Sequence, residues 1–133
     1  MAEESYHIAQ IVITPVREAQ PANRSGDDAA TPQAMVRASE GTDLAIDLVR
    51  GKAGLYPELK SPELYKSRGV DQVKLFVDIM KKNGLEKPES LKTTPVIIQS
   101  FGEEAIRRVA VDLPTVPRVF LTSKDEDVTE ARI

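Results

Sequence analysis

A chain of 133 residues without cysteine can form no disulfide, no thiolate zinc site and no cysteine nucleophile. Its apolar content of 41% and charged content of 29% are those of an ordinary soluble globular domain. A net charge of −3 argues against nucleic acid or an anionic membrane surface as partner, and 5% aromatics without tryptophan argue against stacking platforms.

The acidic start, Met1 to His7, lacks the basic head and apolar stretch of a signal peptide, and no apolar run reaches transmembrane length. A cytoplasmic location without a transmembrane segment is the expectation. Residues 8–13, Ile8-Ala9-Gln10-Ile11-Val12-Ile13, read as a short strand ended by Pro15. Residues 17–41 carry Pro21, Asn23, Gly26, Asp27, Asp28 and Pro32 and few large apolar side chains. Such a stretch buries too little surface to offset its ordering entropy, so loop or disorder is expected there.

From Thr42 the texture changes. Thr42 can cap a helix, and Leu44/Leu48 with Ala45/Val49 form an i,i+4 stripe. Arg50 and Gly51 suit the helix end. Residues 54–60 then read as a strand. Between Val70 and Asn83, Val70, Val73, Phe76, Val77 and Met80 recur at helical spacing, with Lys81, Lys82 and Gly84 as end signals. Pro88 marks a connecting loop.

The apolar run Pro95 to Ser100 fits a strand covered on both faces, as in parallel sheets. Ser100-Phe101-Gly102-Glu103 has the spacing of a capping box for a helix whose buried stripe is Ile106, Val109, Ala110 and Leu113, stopped at Pro114. Arg118 to Leu121 reads as a third strand, and residues 123–133 as a polar tail. Helices alternating with strands over short connections predict an α/β fold with a parallel sheet.

Glu58 and Lys60 lie two apart in a strand and so share a face. At the C-terminal end of a parallel strand such a pair can hold a divalent cation and a phosphate oxygen; a surface salt bridge is the plainer reading. Gln99 and Ser100 close the next strand, where they can face a polar ligand; for Ser100 the competing role is helix capping. His7 is the one histidine, without a partner at nucleophile–base or metal-ligand spacing. Gly51-Lys52-Ala53-Gly54 lacks the spacing of a phosphate loop, and Asp125-Glu126-Asp127 lacks the calcium-loop pattern.

The segment Leu55-Tyr56-Pro57-Glu58-Leu59-Lys60, followed after a helix by Gln99-Ser100-Phe101, resembles the bacterial glycerophosphodiester phosphodiesterases. Ser61-Pro62-Glu63-Leu64-Tyr65 and the helix from Val70 add to the likeness, which runs from about Asp43 to about Thr122. It implies a partial (β/α)8 TIM barrel at residues 43–122, corresponding to about strands four to six. An unrelated segment, 1–42, would precede it and the tail, 123–133, follow. The family hydrolyses glycerophosphodiesters to glycerol 3-phosphate and an alcohol, with Ca²⁺ or Mg²⁺ and two histidines as acid and base. By this likeness Glu58 is a metal ligand, Lys60 bears on the substrate phosphate, and Gln99 and Ser100 line the pocket.

The family's His-Arg, Glu-x-Asp and His-Asp strand ends are absent before Asp43, and His7 is followed by Ile8. A complete barrel takes about 250 residues. The expectation is a fragment with little activity alone. The alternatives are a non-catalytic module that self-associates or pairs with another chain through open sheet edges, and completion by a second polypeptide carrying the missing strands and histidines.

Overall fold

Pro32–Val49 form an 18-residue helix, α1, in the computed structural model, which describes residues 32–123 and side chains from Ser39 onward. The expected strand at 8–13, the segment 17–31, His7 and the tail beyond Ser123 lie outside the described residues. The loop expected to continue through residue 41 is instead helical from Pro32, and Thr42 sits inside α1 rather than capping it. Pro32 suits a first turn because the N–H it lacks would have no helical partner. Gln33 to Glu40 are mostly good helix formers, too poor in large apolar residues to show a periodic stripe. The end of α1 matches expectation: Gly51 adopts φ 71°, and the amides of Arg50 and Lys52 return to Ile46 O and Val49 O. The buried face does not. Leu44 and Leu48 are exposed, and Ile46 instead enters the core, flanked by half-buried Ala45 and Val49.

A clasp fixes α1 to the following helices. Asp43 accepts from Lys82 Nζ at 2.6 Å and Asn83 Nδ2 at 2.8 Å. Arg50 donates to Asn83 O and Oδ1, and Gly51 N–H to the buried Thr94 hydroxyl at 2.8 Å.

The segment Leu55–Leu59 runs parallel to Val96–Gln99. Leu55 N–H donates to Pro95 O and Ile97 N–H to Leu55 O; Gln99 N–H donates to Pro57 O and Leu59 N–H to Gln99 O. Pro57 has no N–H to give, so the ladder breaks there into two bridges, Leu55 with Val96 and Glu58 with Gln99. The strand expected over 54–60 is therefore an interrupted one.

Ser61, at φ 52°, turns the chain into a six-residue helix, α2 (Pro62–Ser67). Helix α3 (Gln72–Lys82) starts at Asp71, whose carboxylate accepts from Lys74 N–H at 3.0 Å. It buries Val73, Phe76, Val77 and Met80 and ends where Gly84 takes φ 66°. Pro88 opens another six-residue helix, α4 (Pro88–Thr93), where a loop was expected. Strand β1 (Ile98–Ser100), helix α5 (Glu103–Asp112) and strand β2 (Arg118–Phe120) complete a βαβ unit. β1 and β2 are parallel, with Ile98 opposite Arg118, Gln99 opposite Val119 and Ser100 opposite Phe120.

The described residues thus form a mixed helix and strand fold around a two-stranded parallel sheet, flanked by the bridged 55–59 segment. The core joins Ile46, Leu59, the α3 stripe, Leu85, Val96, Ile98, Ala105, Val109, Leu113 and Val116. Val96, Ile98 and Ser100 point into it, while Ile97 is 42% exposed and Gln99 half-buried. The strand at Pro95–Ser100 is therefore covered on one face, not two. No helix among the described residues is long and apolar enough to cross a membrane.

Ile98 is fully buried where β1 meets the helices. Ile98→Ala is expected to cost about 2–5 kcal/mol by lost burial and the cavity left behind. The urea unfolding midpoint measures it.

Candidate functional site

The alternation of a strand sorts the residues at the C-terminal end of the sheet into two sets. Glu58 is bridged to Gln99, and Gln99 is in register with Val119, so these three form one row across the uncovered face. The bridge of Leu55 with Val96 places Tyr56 beside Ile97 one row earlier, on the same uncovered face. Tyr56 is 57% exposed and Val119 39%, so this face lies bare among the described residues. Lys60, two residues beyond Glu58, is also exposed. The side chain of Gln99 reaches back to Tyr56 O at 3.5 Å, the long limit of a hydrogen bond.

Glu58 and Lys60 make no ion pair with each other, so the surface salt bridge offered by their spacing is not formed. Among the described residues neither charge has an ion-pair partner.

Ser100 is placed differently. It points into the core, away from Gln99, and is fully buried. Its hydroxyl donates to Leu59 O at 2.7 Å and accepts from Gly102 N–H at 3.0 Å. The expected pocket role is thus replaced by a structural one. The expected capping box is also absent: Gly102 is the N-cap of α5, and Glu103 pairs with Arg107 at 2.7 Å. Gly102 is required by space. A Cβ there would stand 2.6 Å from both Pro62 Cγ and Glu63 Oε1, so the turn into α5 packs directly on α2. The sequence shows the glycine but not the neighbour that demands it.

A second polar cluster lies between α2, α3 and α5, lined by Glu63, Lys66, Asp71, Gln72, Glu104 and Arg108. Arg108 grips Asp71 with two bonds, 2.9 and 2.8 Å, and Lys66 meets Glu104 at 2.7 Å. Hydrogen bonding from Arg108 holds the Asp71 carboxyl below its ordinary range, and hydrogen bonding from Lys66 does the same for Glu104. The two ion pairs tie three helices together, and Glu63 is the one charge of this lining outside those pairs. It touches the first site through Gln72, whose amide donates to Lys60 O at 3.2 Å. Spacing in the sequence does not reveal this cluster, because Asp71 and Arg108 are 37 residues apart.

A divalent oxygen-seeking cation needs six or more ligands, several of them carboxylate oxygens. Among the described residues no three His, Cys, Asp or Glu side chains converge, and Glu58 is the single carboxylate in its row. The donor set among the described residues does not fit such an ion by itself. No protein-family model matches the chain, and no curated protein matches it.

Two expectations follow. Ser100→Ala strands Leu59 O and Gly102 N–H in the core, at about 1–3 kcal/mol of stability, read as a lowered urea midpoint. Asp71 binds a proton less readily folded than unfolded, because of Arg108. Its contribution is complete above the ordinary carboxylate range, near pH 4, and is lost as pH falls through the lowered folded value. Asp71→Asn is therefore expected to lower the denaturation midpoint at pH 6 and to converge with the parent as the pH falls through that lowered folded value.

Proposed function

We propose that residues 43–122 are about the fourth to sixth strand–helix units of a glycerophosphodiester phosphodiesterase barrel, and that the chain has little or no activity by itself. The observation that supports this most is the row of Glu58 and Gln99, in register at the C-terminal end of parallel strands, on a face that no helix covers among the described residues. Barrel enzymes of this architecture build their sites from that end and turn one face of each strand inward. Tyr56 and Ile97, in the row before, suit the packed interior beneath such a site, and Lys60 suits its rim.

In this reading Glu58 contributes one ligand to a Ca²⁺ or Mg²⁺ ion, Lys60 attracts the phosphate of the glycerophosphodiester, and Gln99 lines the pocket. The ion would supply charge stabilisation at the phosphate once other strands completed its ligands. The reaction also needs a proton donor for the leaving alkoxide and a base for the attacking group, each worth about 10²–10⁴ in rate. Glu58, Lys60 and Gln99 provide neither as a matched pair.

A second reading, a non-catalytic assembly module, draws on the same bare face. Tyr56, Ile97 and Val119 are substantially exposed there, and the 55–59 segment leaves an open parallel edge among the described residues. Such edges invite pairing with another chain.

The test of the first reading has two arms. Glycerophosphocholine with Ca²⁺ or Mg²⁺ should yield no glycerol 3-phosphate above background with this chain alone; turnover that vanishes in Glu58→Ala would refute inactivity. Residues 54–122 should also replace the corresponding units of a complete family enzyme with metal-dependent turnover retained, and Glu58→Ala in that chimera should cost at least about 100-fold. A chimera that folds but is inactive, or is indifferent to Glu58, would remove the family reading. For the second reading, light scattering over a concentration series should show reversible self-association, weakened by Ile97→Lys; a monomer throughout would refute self-pairing.

A further inference from the structure

We draw no further inference here: the strongest candidate, the bare sheet face carrying Tyr56, Ile97 and Val119 beside the open edge of the 55–59 segment, is exposed apolar surface for which nothing in the structure shows what covers it.

Discussion

The hydroxyl of Ser100 sits where three parts of the fold meet. It donates to the carbonyl of Leu59, at the end of the bridged segment, and accepts the amide of Gly102, at the start of α5. Leu59 O is beyond the reach of the backbone ladder, and Gly102 N–H belongs to a helix cap without a side-chain acceptor of its own. In a buried setting an unpaired carbonyl and amide are each expensive. One small hydroxyl settles both and sets the spacing between the 55–59 segment and the βαβ unit. The position of Glu58 beside Gln99 depends on that spacing.

Around this point the structure divides sharply by face. On one side, Ile98, Val96 and Leu59 join α3 and α5 in a core whose central members have almost no exposure. On the other, Tyr56, Ile97 and Val119 meet no helix among the described residues. Parallel sheets are ordinarily covered on both faces or closed into barrels. The polar cluster of Asp71, Arg108, Lys66 and Glu104 locks the helices together and reaches the strand end through Gln72, which donates to Lys60 O. Stability and any surface chemistry are thus assigned to opposite sides of the same strands.

Much of the fold was legible because it rests on local spacing. The stripe of Val73, Phe76, Val77 and Met80, with its dibasic end and Gly84, defines α3 directly. The order of β1, α5 and β2 follows from alternation and Pro114. What failed was rotation and length. In α1 the pair Leu44/Leu48 has the right period and the wrong face, because the docking partner, not the period, selects which stripe is buried. Helices α2 and α4 have six residues each, too few for a period to register. For the site, the two-residue repeat already separates Ser100 from Gln99, but only pairing with Leu59 shows which of them faces the core. The grouping of Glu58 with Gln99 required a register between segments 41 residues apart, which no local pattern encodes.

The absent amide of Pro57 has a mechanical meaning. Along 55–59 the missing rung falls midway between the two bridges, so the centre of this outer segment is held through the Pro57 carbonyl and not through an amide. β1 and β2 are paired without such a gap, and the turn from β1 into α5 is pinned by Gly102 against α2. The segment bearing Glu58 therefore has one fewer backbone bond to resist local opening than an unbroken strand of its length.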